Sequence, residues 1–181
     1  MGKSVFIGID NGVTGSVGAI VQMEGASRRQ ISFASVPTTM EQSYTKTKKN
    51  ISRIDHFALE RMLAPWVCGD ADSTVMVLVE RPMICPGRFV ATTSALRALE
   101  AVLIVLERVC NEGPVPMDYI DSREWQKVLL PQGLKGPELK TASATVGCRL
   151  FPSMAAVIKK QKDADGLLIA EYCRRKFGMA V

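Results

Sequence analysis

Residues 5–23 read VFIGIDNGVTGSVGAIVQM, and the fold follows from how that stretch divides. VFIGID (5–10) is a continuous run of β-favouring residues, NGVTG supplies turn chemistry, and SVGAIVQM (16–23) resumes as a strand. The chain therefore opens with a β-hairpin, and ISFASVP (31–37) adds a third strand. Asp10 ends the first strand, which puts its carboxylate where a sheet edge meets solvent rather than in a core.

Beyond this opening, residues 38–55 (TTMEQSYTKTKKNISRID) are polar, with Lys46, Lys48 and Lys49 close together. They predict a long mobile loop, either simply solvated or a DNA-contacting arm. From Asp55 the spacing of Phe57, Leu59, Met62 and Leu63 predicts a helix that stops at Pro65 and Gly69. STVMVLVE (73–80) is apolar on both faces, as in a central strand of a covered sheet, and Glu80 ends it. RPMICPGRF leads to a helix over 91–110, where Leu96, Leu99, Leu103 and Leu106 make two apolar faces. One face covers the sheet; the other is either a subunit interface or part of one wide buried stripe. VPMDYID (115–121) is a strand, followed by a helix capped by Asp121 or Ser122, a loop with Lys135, a helix over 138–150, and a last helix from near Asp163. Three antiparallel strands followed by strand–helix–strand–helix make an α/β fold. Its expected form is a mixed five-stranded sheet, antiparallel in its first three strands and then parallel, flanked by helices.

Composition narrows the function classes. The 181 residues, 47% of them hydrophobic, suit one domain with one sizeable core. Lys and Arg number 23 against 18 acids, a balance that favours a polyanionic partner. His56 and the five cysteines (68, 85, 110, 148, 173) form no CxxC or HxxxH pairing, which argues against a zinc site. Scattered cysteines in an α/β chain read as reduced thiols in a cytosolic or equivalent compartment. The first strand begins just after MGK, so no secretory or transit segment is expected. Charge interrupts the apolar runs, so no membrane span is expected either.

The chemistry is carried by acids. Asp10, Glu80 and Asp165 (in KDADGLLIAEY) each open or close an apolar element. Carboxylates without neighbouring His or Cys suit Mg²⁺ or Mn²⁺, and two such ions can clamp the attacking and leaving oxygens of a phosphodiester. The pattern predicts a metal-dependent nuclease. Asp163 has two readings: on a regular helix it points away from Asp165, but if the helix begins there it either swings toward the metal or caps the helix. Lys135, Lys140, Lys159, Lys160 and Lys162 form either a phosphate-binding rim or a solubilising surface. Met83, Ile84 and Phe89 either stack at unpaired bases or pack beneath their loop, with Arg88 placed for a backbone contact. Trp66 and Trp125 read as core aromatics, and Arg174, Arg175 and Lys176 as a solvated helix end.

GIDNG after the first strand, VERP at the end of the fourth, and the helix opening DADGLLIA together resemble the RuvC family of Holliday-junction resolvases, within the RNase H-like superfamily. KTASATVGCRLFPS followed by Lys159 and Lys160 resembles most the phage and chloroplast-type branch. The resemblance spans essentially the whole chain. It implies one RNase H-like domain over 1–181, and a homodimer that nicks two strands of four-way junction DNA symmetrically. Asp10, Glu80 and Asp165 would hold two Mg²⁺ ions, with Mn²⁺ able to substitute and no nucleotide cofactor. The setting would be the cytoplasm of a bacterium or phage-infected cell, or an organelle matrix.

The chain departs from the family where many relatives carry an acid or His three residues before the final Asp. Lys162 stands there, and a protonated lysine cannot ligate a cation, so Asp163 is the nearest acid able to complete the set. The departure keeps open a catalytically inactive junction-binding protein, alongside an RNase H-like nuclease acting on other branched DNA or RNA. An ATP-binding protein of the actin and sugar-kinase type shares the strand–GID–G–TG opening. That type needs two lobes and a second glycine-rich hairpin, for which 181 residues leave no room.

Overall fold

The computed structural model describes residues 2–26, 28–43, 46–68, 73–84, 86–110 and 113–178. Gly69, expected at a helix end, and Cys85 lie outside them. Strands β1 (Lys3–Ile9), β2 (Ser16–Met23), β3 (Arg29–Ser35), β6 (Ser73–Glu80) and β7 (Met117–Ile120) form one sheet in the order β3-β2-β1-β6-β7. β1–β2 and β2–β3 are antiparallel, while β1–β6 and β6–β7 are parallel, as the order of elements predicts.

Alternation along the strands divides the core into two layers. Val5, Ile7 and Ile9 of β1, with Val77 and Val79 of β6, face helices α1 (His56–Val67) and α2 (Phe89–Arg108) through Leu59, Leu63, Val102 and Val105. Phe6, Ile20 and Leu78 face the other way. They pack against α3 (Ser122–Leu129), α4 (Pro137–Leu150), α5 (Ala155–Gln161) and α6 (Asp165–Phe177), through Trp125, Val146, Ile158 and Leu167 among others.

Several expectations need correction. The polar stretch 38–55 is not a long loop but a hairpin of β4 (Thr38–Gln42) and β5 (Asn50–Ile54), paired antiparallel as a separate two-stranded sheet. Its inward-facing backbone groups pair across the ribbon and the outer ones face solvent, so it needs few apolar side chains. Pro65 does not stop α1, which runs to Val67, although its missing N–H removes one intrahelical bond in the last turn. Asp55 caps that helix, accepting from the Ala58 amide at 2.9 Å. α2 is 20 residues long and holds an 18-residue window of mean hydropathy 1.8, so among the described residues one helix does have the length and composition to cross a bilayer. Here its C-terminal half is packed on the sheet, with Val102 and Val105 fully buried, while Phe89, Val90 and Leu96 at its other end are exposed. Arg174 and Arg175 are not simply solvated either: Arg174 forks onto the buried carboxylate of Glu171 at 2.8 and 2.9 Å, and Arg175 Nε donates to it at 2.8 Å.

Candidate active site

Asp10 and Glu80 are brought together by strand pairing. β1 and β6 run parallel with Ile9 opposite Val79, so Asp10 and Glu80 are the next residue of each chain at the same sheet edge. The two-residue period sends both side chains to the face that carries α6, the face of Phe6 and Leu78. Asp10 is held in its turn by its own amide, which donates to the Ser16 carbonyl at 2.9 Å.

α6 reaches this edge because glycines let it sit directly on the sheet. A Cβ at Gly8 would overlap the backbone of Ala170, and one at Gly18 would overlap that of Leu167. The contact is further fixed by the Gly166 amide, which donates to Ser16 Oγ at 3.0 Å. Asp165, the first residue of α6, is thereby set beside the end of β1.

Asp163 is neither helical nor a cap. α5 ends at Gln161, Lys162 follows in the left-handed conformation (φ 71°), and α6 begins only at Asp165 with no side-chain cap. The helical spacing that would place residue 162 on the face of Asp165 therefore does not exist in this chain. The turn points Lys162 into solvent and buries Asp163 to 6% exposure, where its Oδ2 accepts from Lys140 Nζ at 3.2 Å.

Three of the acids are raised above their ordinary values. Burial, then the charges of Glu80, Asp165 and Asp163, push Asp10 up to about 8, against a smaller opposing pull from Lys140. Burial pushes Glu80 up to about 7, opposed by its hydrogen bond from Trp125 and assisted by Asp165 and Asp121. Asp165 is also raised, by burial first, with the Ser143 hydrogen bond opposing. Such elevation, with burial as its largest cause, marks a cluster in which the charged carboxylates are costly without a cation beside them.

Two residues of this site were not legible as functional. Trp125, buried to 1% exposure, donates from its indole nitrogen to Glu80 Oε2 at 2.8 Å. Ser143 donates to Asp165 Oδ1 while accepting from the Ala164 amide at 3.0 Å. A buried indole N–H or hydroxyl needs a partner, and that rule was the available signal.

The donor set is all oxygen, which suits a hard divalent cation. Both polar atoms of the Asn11 amide, next to Asp10, are buried without a hydrogen-bond partner among the described residues, so a further carbonyl oxygen stands uncommitted there. Among the described residues no three acid, His or Cys groups are gathered at a common ligating distance. Glu80, Asp163 and Asp165 are instead each tied to a donor of the protein.

The other residues singled out from sequence lie on several elements. Met83 (73% exposed), Ile84 and Phe89 (81%) stand in solvent, which corrects the reading that they pack beneath their loop. Arg88 is exposed at the start of α2. Lys140 lies against the acids. Lys135, Lys159, Lys160 and Lys162 are exposed on the loop before α4 and around the end of α5.

No family model matches the chain, and no curated protein matches it in sequence. Among solved structures it is similar to T. thermophilus RuvC in complex with Holliday junction substrate, with 17% identity, 96% of each chain covered and a TM-score of 0.50. A second structure of Thermus thermophilus RuvC gives 17% identity, the same coverage and a TM-score of 0.48. At such identity the likeness is one of architecture, and with the mixed five-stranded sheet it shows that the chain has the RNase H-like fold seen in RuvC.

Proposed function

We propose that the protein is a structure-specific endonuclease that resolves four-way DNA junctions by paired, divalent-metal-dependent hydrolysis. The observation that carries this reading is the cluster of Asp10, Glu80, Asp163 and Asp165 at one sheet edge, three of them held above the usual carboxylate range by burial and mutual charge. The fold is consistent with it. The solved structure of the same architecture is in complex with Holliday junction substrate, the order of the GIDNG, VERP and DADGLLIA motifs points the same way, and KTASATVGCRLFPS with Lys159 and Lys160 favours the phage and chloroplast-type branch.

In this reading the four carboxylates hold two Mg²⁺ ions, or Mn²⁺ in their place. When bound, such ions neutralise the non-bridging phosphate oxygen and lower the pKa of a water to make the nucleophile. The protein's own groups orient the set. Trp125 fixes one oxygen of Glu80 and leaves the other uncommitted, and Ser143 does the same for Asp165. Lys140, bonded to Asp163 and largely exposed, can turn from that carboxylate to an incoming phosphate without leaving the site. Arg88, Met83 and Phe89 stand exposed for contacts with backbone and unpaired bases, and Lys135, Lys159, Lys160 and Lys162 for phosphates.

Two symmetric incisions require two sites, so the reading includes a homodimer. The setting is a cytoplasm or an organelle matrix. The Lys140–Asp163 ion pair favours one alternative, an inactive junction-binding protein whose own ammonium substitutes for metal charge.

The test uses Asp10→Asn, Glu80→Gln and Asp165→Asn with a mobile four-way junction. Each should abolish nicking in Mg²⁺, keep junction binding, and lose the thermal stabilisation that Mg²⁺ or Mn²⁺ gives the wild type. Near-normal nicking by a variant removes that residue from the site. Wild type that binds junctions but neither nicks them nor gains stability from either ion establishes the inactive alternative.

A further inference from the structure

The β4–β5 hairpin leaves the body of the protein at the edge that carries the acids. The Val36 amide donates to the carbonyl of Gly15, in the turn that follows Asp10, and the Asp55 amide donates to Pro37, closing the base of the hairpin. Between the hairpin, the N-terminal half of α2 and Val13 of that turn lies a cleft of about 610 Å³. Its floor is apolar, formed by Val13, Ile51, Ile54, Ala98, Ala101 and Ile104, and Arg53, Arg97 and Glu100 stand among its walls. All of β4 is exposed. Residues 38–54 carry Lys46, Lys48, Lys49 and Arg53 against the single acid Glu41, and Arg53 Nε lies 3.1 Å from Glu41 Oε2, so the three lysines at the tip are a net excess.

We propose that this hairpin is a nucleic-acid-binding arm, and that the cleft beneath it holds a DNA strand leading away from the acid cluster. The inference rests on the nuclease reading above and adds a second contact region on the opposite face of the sheet from the carboxylates' supporting helices. An apolar floor beneath a lysine-rich tip matches an unpaired strand, whose bases offer flat apolar faces and whose phosphates carry the charge. A second copy of this chain is a poorer occupant, because a two-fold axis through the cleft would oppose two lysine-rich tips.

The experiment compares the triple variant Lys46→Ala/Lys48→Ala/Lys49→Ala with Lys3→Ala/Arg28→Ala/Arg29→Ala, which removes equal charge at the other end of β1–β3. Junction affinity is measured across a range of salt concentrations. Each lost phosphate contact lowers the slope of log affinity against log salt by about 0.9. The hairpin variant should lose about two to three units of slope and bind more weakly, the control less than one unit, and nicking at saturating DNA should persist in both.

Equal behaviour of the two variants overturns the arm. So does a hairpin variant whose sedimentation changes while its DNA affinity does not, since the cleft would then join two copies. Wild type that binds no four-way junction brings down the nuclease reading, and the arm with it; wild type that binds and nicks while the two triples behave alike brings down the arm only.

Discussion

The indole of Trp125 on α3 and the carboxylate of Glu80 at the end of β6 are joined by a 2.8 Å hydrogen bond, although the indole ring itself is almost wholly within the core. The bond opposes the upward push of burial on Glu80, so the ring packs the core while its one polar atom sets the acid. Trp125→Phe keeps most of the ring and removes the donor. We expect a stability loss of about 1–2 kcal/mol and a 10–100-fold fall in divalent-cation affinity or nicking rate. A Mn²⁺ titration followed by thermal shift measures the affinity separately; an unchanged midpoint would assign Trp125 to packing and nothing more.

Stability without divalent cations should fall as pH rises. Asp10 and Glu80 have folded pKa values of about 8 and 7, above their ordinary values of 3.8 and 4.5. The native state therefore holds more protons than the unfolded state between about pH 4 and 8, and stability declines through that window. The contribution is fully present below pH 4 and lost once pH passes the folded values. Urea melts at pH 5.5 and 8.5 in EDTA check this, compared with Asp10→Asn, whose melting point should depend less on pH. Added Mg²⁺ should restore most stability at the higher pH, since it favours the charged acids.

Asp163 makes no cap, so Asp163→Asn should leave α6 intact and its effect should fall on chemistry. We expect cleavage to drop by orders of magnitude, with partial rescue by excess Mn²⁺ and little loss of melting temperature. Lys140→Met, which removes the ammonium facing Asp163 at 3.2 Å, should weaken junction binding and leave metal-induced stabilisation in place. An active Asp163→Asn enzyme would limit the ligand set to Asp10, Glu80 and Asp165.

Gly18→Ala tests the seating of α6. The added methyl would meet the Leu167 backbone, which has no side-chain freedom with which to yield. A loss of about 1–3 kcal/mol is expected from overpacking, together with reduced nicking, because Asp165 rides on the displaced helix. Melting temperature and single-turnover nicking report the two effects; an unperturbed melt would mean that the helix shifts at no cost.

The sheet was legible because its strands are continuous runs of apolar, β-favouring residues bounded by turn residues or charge, as in 5–10, 16–23 and 73–80. The hairpin 38–54 was not. All five β4 residues are exposed, so no buried face imposes a pattern, and only cross-strand hydrogen bonds define it. α5 escaped notice because seven residues with one buried position, Ile158, make no stripe. Asp10, Glu80 and Asp165 stood out as acids at element ends. Trp125 and Ser143 did not, since each lies in a helix whose apolar pattern accounts for it, and their acids are 45 and 22 residues away. Lys162 could be seen to break the family's ligand spacing. The left-handed turn that explains the break belongs to a non-glycine residue, for which sequence offers no marker.

The sheet itself acts as a partition. The acids and their donors Trp125, Ser143 and Lys140 belong to the side packed by α3, α4 and α6, whereas the hairpin and α2 belong to the other. The two sides meet chiefly through the backbone of the β1–β2 turn and the residues after β6. Substitutions that reshape the hairpin can therefore accumulate without retuning the carboxylates. Hairpins exchanged between chains of this architecture should transplant substrate preference while the hydrolytic apparatus stays as it was.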